Sequence, residues 1–165
     1  MNVQLHPVAF YWLLFATPIV LWDATFLVFR PASFPDAEWG WIWESAYRIY
    51  MEVDRTYADL ENRTAYALGF ANLVESMIAL FALFMHYRNR KTLALLIAIG
   101  CSTSTAIKTL FFFFIEWAHD FHGIGHNTLA DAIFLYWIPN GIWVVMPTWV
   151  AWNSIRRVST ALQAR

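Results

Sequence analysis

The stretch VAFYWLLFATPIVLWDATFLVF, residues 8–29, decides the fold. At 1.5 Å of rise per residue it is long enough to cross roughly 30 Å of hydrocarbon as a helix. No basic region precedes it and no small-residue cleavage site follows, so it reads as a membrane span rather than a secretory signal. Inside it lies Asp23. A carboxylate deep in a lipid-length helix costs a few kcal/mol on insertion scales and is normally kept only where it faces a protein interior and has work to do. Aspartate is too short to snorkel to the interface as lysine and arginine do.

Three further apolar stretches repeat the pattern. Residues 64–85 carry Glu75 within ANLVESMIAL, and residues 92–117 carry Lys108 ahead of the run Phe111 to Phe114. Residues 132–152 carry Asn140 and Trp143 between Pro139 and Pro147, prolines that lipid tolerates where neighbouring groups satisfy the freed carbonyls. The composition agrees: 59% hydrophobic, 19% aromatic and 14% charged, with a mean hydropathy of +0.44. The chain therefore reads as one all-α integral-membrane domain, residues 1–165, with four transmembrane helices. The single cysteine, Cys101, gives no disulfide framework, and a net charge of −1 argues against nucleic acid as a partner.

Between the first two spans, Pro31 and Pro35 stop the first helix. The segment 36–60 then mixes Trp, Tyr and charge in WGWIWESAYRIYMEVDRTYADL, as an amphipathic segment at the membrane interface would, and such a segment is placed to cap a pocket. Arg88, Arg90 and Lys91 follow the second span, and Arg156, Arg157 and Arg165 the fourth, so the positive-inside rule predicts both termini in the cytoplasm.

Asp23 and Glu75 are the candidate catalytic acids, each with a bland alternative as a structural ion-pair partner. Asn72 and Ser76 flank Glu75 at helical spacing. Lys108 follows CSTSTAIK, where Ser102, Thr105 and Thr109 form a polar stripe that either lines a wet cavity or bonds helix to helix. A pair between Lys108 and either acid offsets desolvation and leaves the other acid free to hold a proton, the division that proton-transfer chemistry requires. Tyr136, Asn140 and Trp143 share a helix face, and indole next to carboxylate suits an ammonium or a carbocation. His119, His122 and His126 cluster with Asp120 in a glycine-containing loop without helical ligand spacing, so no metal is expected there.

The order of these features resembles the EXPERA family, the group of emopamil-binding proteins, sterol isomerases and sigma-2 receptors. The resemblance runs from Phe15 to Gln163. TPIVLWDATF is similar to its first-helix motif, with Asp23 as the acid, and YMEVDRTY (residues 50–57) to its loop signature of tyrosine, acid and tyrosine. ANLVESMIAL matches its second-helix acid, FFFFIEWAHDFHGIGH the end of its third helix, and YWIPNGIWVVMPTWVAW its fourth-helix pattern. It implies a four-helix scaffold with a cavity opening toward the bilayer, in which a ring double bond is moved through a carbocation and basic amines bind as its mimics. Asp23 and Glu75 would stabilise the cation and shuttle protons, with Asn140 and Trp143 completing the pocket and Glu116 matching a further family acid. Two positions depart from the pattern. Ile19 stands where the isomerases place a histidine, and Lys108 where a small or acidic residue is usual.

The expectation is thus an isomerase or cyclase of a sterol-like or terpenoid lipid, working by acid–base chemistry without a cofactor. Asp23, Glu75 and Lys108 are its catalytic groups, and Asn140, Trp143, Tyr136, Glu116, Asn72 and Thr105 line the substrate. The resemblance also implies a homodimer and, in a eukaryote, the endoplasmic reticulum. The competing class is a lipid-binding or lipid-shuttling protein of the sigma-2 type, favoured by the missing histidine. A proton-coupled transporter fits less well, because four spans without a repeat make a poor alternating-access machine.

Overall fold

The computed structural model describes residues 3–164. Pro7 at the first turn, where its missing N–H is no loss, starts α1 (Pro7–Val28), and the His6 ring accepts a hydrogen bond from the Val8 N–H at 3.2 Å. After a 3₁₀ turn (Gly40–Ile42) come two short helices, α2 (Glu44–Val53) and α3 (Arg55–Ala58). The Asp54 side chain caps α3 by accepting from the Thr56 N–H. The long helices α4 (Arg63–Tyr87), α5 (Lys91–Ala118) and α6 (Leu129–Gln163) follow. Asn89, in the left-handed conformation at φ 58°, ends α4 and lets the chain turn directly into α5.

The described residues form no strand, and α1, α4, α5 and α6 are each long and apolar enough to cross a membrane. The architecture is that of an all-α, multi-pass membrane protein. Each expected span is present with ends shifted by a few residues, except the last. Sequence composition placed its end near residue 152, whereas the helix continues to Gln163 and carries Arg156 and Arg157 on it. Composition marks where apolar character stops, and nothing after Trp152 breaks a helix.

Packing runs α1 on α4, α4 on α5, and α5 on α6. Small residues make it possible: a Cβ on Gly69 would sit 2.8 Å from the Leu27 Cβ, so only glycine permits this approach of α4 to α1. At the end that holds both chain termini the bundle closes on Leu5, Ala9, Leu13, Ala79, Leu95, Ala98, Cys101 and Val150. At the other end α1 and α4 still touch at Gly69, and rings fill the rest of the interior. These are Phe26, Trp43, Tyr47, Tyr57, Phe112 and Tyr136, four of them from α1 and the segment that follows it.

That segment, residues 30–62, folds back as a cover. Arg30, buried, donates through Nη1 to the carbonyls of Thr56, Tyr57 and Asp59 at 3.3, 2.9 and 3.2 Å, and its guanidinium lies 4.5 Å above the Tyr66 ring. Ser33 Oγ donates to the Phe26 carbonyl at 2.6 Å, and Trp43 Nε1 to the Trp22 carbonyl at 2.9 Å. α2 turns Tyr47 inward and leaves Arg48 outside, paired with Asp36 and Glu44. This is the amphipathic character that the sequence announces.

α6 starts irregularly. Ala132–Trp137 is wound as a π-helix, and Pro139 follows. Proline cannot donate to the carbonyl four residues back, and a wider turn is one way to accommodate that loss. The Asn140 side chain adds its Nδ2, which donates to the Tyr136 carbonyl at 2.9 Å and also to the Tyr50 hydroxyl at 3.3 Å.

Candidate functional site: a carboxylate-lined cavity under the cover

Beneath the cover lies a cavity of about 360 Å³, within the range of small-molecule sites. Its walls come from α1 (Ile19, Trp22, Asp23), α2 (Tyr47, Tyr50), α3 (Tyr57), α4, α5 and α6. α1 and α6 are not a closely packed pair, and the cavity lies between Ile19 and Trp22 on one and Pro139, Asn140 and Trp143 on the other. Toward the termini, this gap narrows where the Trp12 and Trp143 rings meet at 5.3 Å between centroids.

The polar groups form one continuous chain. Asp23 Oδ1 accepts from the Tyr47 hydroxyl at 2.6 Å and the Tyr57 hydroxyl at 3.2 Å, and its Oδ2 accepts from Asn72 Nδ2 at 2.6 Å. Asn72 Oδ1 accepts in turn from Lys108 Nζ, which also pairs with Glu75 Oε2 at 2.6 Å. The side chains of Lys108 and Glu75 keep 23% and 12% of their exposure, so the pair borders the cavity rather than being sealed from it. Thr105 and Thr109 turn their hydroxyls back to carbonyls one turn earlier on α5, at 3.0 Å each, and so contribute wall rather than donors.

The two acids therefore differ in kind. Glu75 has a cationic partner; Asp23, among the described residues, has three neutral donors and none that is charged. Burial, reinforced by the neighbouring Asp23 charge, raises the Tyr47 and Tyr57 phenols well above their ordinary range, so both remain protonated donors. Because Glu75 is paired with Lys108, Asp23 in its ionised form gives the cavity one surplus negative charge. In a low-dielectric enclosure with indole on two sides, such a charge favours a cation strongly.

Of the residues singled out from sequence, Asp23, Glu75, Lys108, Asn72, Thr105, Asn140 and Trp143 all line this cavity. Tyr136 and Glu116 are elsewhere. Tyr136 is fully buried against Phe112 and Phe113: it falls inside the π-helical stretch, where α-helical spacing from Asn140 no longer predicts the facing side. Glu116, at the far end of α5, accepts from Thr56 Oγ1 at 3.1 Å and from the Gly123 N–H at 3.2 Å. It ties α5 to the cover and to the loop before α6. Asp54, also buried, shares Thr56 with it, and burial, with Glu116 adding to it, pushes the Asp54 carboxyl up to about 7. Among the described residues no three His, Cys, Asp or Glu side chains converge as a metal site, and the His126 ring lies 2.7 Å from the Glu52 carbonyl instead.

Tyr47 and Trp22 are wall residues to which the sequence reading gives no role, and Tyr50 and Tyr57 are known from sequence only as the tyrosines of YMEVDRTY. YMEVDRTY held part of the signal, since two tyrosines beside an acid in an otherwise interfacial segment are donors in need of an acceptor. Comparison with known proteins gives no match to a family model, to a curated protein or to a solved structure.

Proposed function

We propose that the protein is a membrane-embedded isomerase or protonation-initiated cyclase of a sterol-like or terpenoid lipid, a member of the EXPERA group that its motifs resemble. The observation that carries this reading is Asp23: a half-buried carboxyl without a cationic hydrogen-bond partner among the described residues, on the wall of an apolar cavity. Desolvating such a charge is costly unless something positive occupies the space beside it for part of the cycle.

In this reading Glu75 and Lys108 hold the proton that starts the reaction. Transfer of that proton to one carbon of a ligand double bond leaves the positive charge on its neighbour, facing Asp23 and the ring faces of Trp22 and Trp143. Loss of a proton from a different carbon to a carboxylate restores neutrality and moves the double bond; attack by a second double bond before that loss closes a ring instead. Atoms and charge balance without a cofactor. The cover would lie at the membrane interface with both termini in the cytoplasm, as the Arg88–Lys91 and Arg156–Arg157 clusters favour. A homodimer and, in a eukaryote, the endoplasmic reticulum follow from the resemblance alone.

A second reading has its own support. Every hydrogen bond to Asp23 is donated to it, and Ile19 supplies no acid one turn earlier, which suits a site that binds an ammonium or a sterol without reacting. Incubating the purified protein with sterols and linear terpenoids in deuterated water separates the two. An isomerase or cyclase product gains deuterium at the newly protonated carbon. Tight ammonium binding with every lipid recovered unlabelled assigns the protein to the binding class, and absence of both sinks the site itself.

A further inference from the structure

Behind Glu75, on the side away from the cover, is a second and much smaller space of about 20 Å³. It sits in the middle of the bundle, bounded by Leu13, Ala16 and Thr17 of α1, Ser76 and Ala79 of α4, and Cys101 and Ser102 of α5. Glu75, Thr105 and Trp143 belong to its wall and to that of the large cavity as well. Two of its hydroxyls, Ser76 Oγ and Ser102 Oγ, are buried and have no hydrogen-bond partner, although a serine in a helix can bond the carbonyl one turn back, as Thr105 and Thr109 do nearby. Lys108 binds Glu75 through Oε2, and among the described residues no hydrogen bond is made to Oε1.

We infer that this chamber is a binding site for a single water molecule, held by Ser76 and Ser102 and hydrogen-bonded to the Glu75 carboxylate. The space is on the scale of a single water, and three polar groups is the number such waters usually satisfy. An apolar ligand does not fit: a void lined by two unpaired hydroxyls and a carboxylate is a poor place for a methyl group. Below the chamber the bundle closes on alanine and leucine, so the water is not part of a channel to the termini end. Its role, which rests on the acid–base reading above, is to solvate the Glu75 carboxylate from the face that the ligand never touches, so that the ion pair with Lys108, which carries the transferable proton, persists while a hydrophobic lipid fills the large cavity.

The test is infrared difference spectroscopy on the purified protein, which detects an internal water by the shift of its O–H stretch in H₂¹⁸O. The wild type and Ser154→Ala, which removes another unpaired buried hydroxyl away from the chamber, should both show the ¹⁸O-sensitive band. Ser102→Val, which fills the space, and the double variant Ser76→Ala/Ser102→Ala should lose it. The carboxylate stretch of Glu75, assigned by its disappearance in Glu75→Gln, should shift in those same two variants. No ¹⁸O-sensitive band in the wild type, a band surviving in both chamber variants, or an unmoved Glu75 stretch overturns the inference. None of these readings depends on turnover, so failure of the deuterium-labelling experiment would strike the enzymatic reading and leave the water site standing.

Discussion

The two ends of the bundle are built from opposite materials. At the termini end, alanine, leucine and cysteine let the helices close on one another. At the cover end, α1 and α4 still meet at Gly69, but phenylalanine, tyrosine and tryptophan fill the rest of the interior, and a folded-back segment supplies several of those rings and the hydroxyls beside them. The difference shows how a small membrane protein makes a cavity: it spends small residues to fix the frame and large ones to wedge it open. The polar chain from Glu75 to Asp23 runs through the junction of the two regimes, so substitutions along it separate frame from wedge.

The largest effect should come from Lys108, which ties the frame. Lys108→Met leaves Glu75 as an uncompensated, half-buried charge and should destabilise the protein by up to about 3 kcal/mol, the lower end for a fully buried pair, read as a fall in the thermal midpoint of the protein in detergent. Adding Glu75→Gln should recover most of that, whereas adding Asp23→Asn should not, since the ion pair is with Glu75. Equal rescue by both would break the distinction between the two acids. Asp23→Asn alone keeps shape and removes the surplus charge. It should lower turnover, or the affinity for an ammonium lipid, by about 10²–10³-fold with little change in melting; unchanged binding would remove Asp23 from the site.

At the cover, Asp54 gives a pH signature. Its folded-state value of about 7 lies above that of an unfolded aspartate near 4, so the native state binds the proton more tightly and stability falls as pH rises between those limits. The slope should approach 1.4 kcal/mol per pH unit at its steepest and flatten in Asp54→Asn, which keeps the oxygen that caps α3. A wild-type slope of the opposite sign over that interval would show that the cover is held by an ionised Asp54. The smallest effect belongs to the wedge itself. Trp143→Leu should weaken an ammonium ligand by about 0.5–2 kcal/mol more than a neutral lipid of the same shape, measured by competition binding; equal losses would make Trp143 a packing residue only.

The frame was legible because lipid-length apolar runs and their prolines follow from chemistry that needs no partner. The acids were legible for the same reason: charge inside such a run has few explanations. Which acid Lys108 meets was not, since three residues on three helices carry no mutual register in their spacing. Tyr47 and Tyr57 were obscured by company, as tyrosine and tryptophan beside charge look alike whether they lie on a membrane surface or fold back into a bundle. Tyr136 was placed on the wrong face by a turn of π-helix that 3.6-residue arithmetic cannot anticipate, and Glu116 by analogy, when its oxygens are committed to Thr56 and Gly123.

The three donors to Asp23 also set an order of assembly. They stand 24, 34 and 49 residues further along the chain, on α2, α3 and α4. During synthesis α1 is made before α4, with a carboxyl whose partners have not yet been made and whose insertion cost they do not yet offset. Only when α4 has entered and the cover has swung down is the debt cleared. The hydrogen bonding of Asp23 is thus complete only once both the cover and α4 are in place.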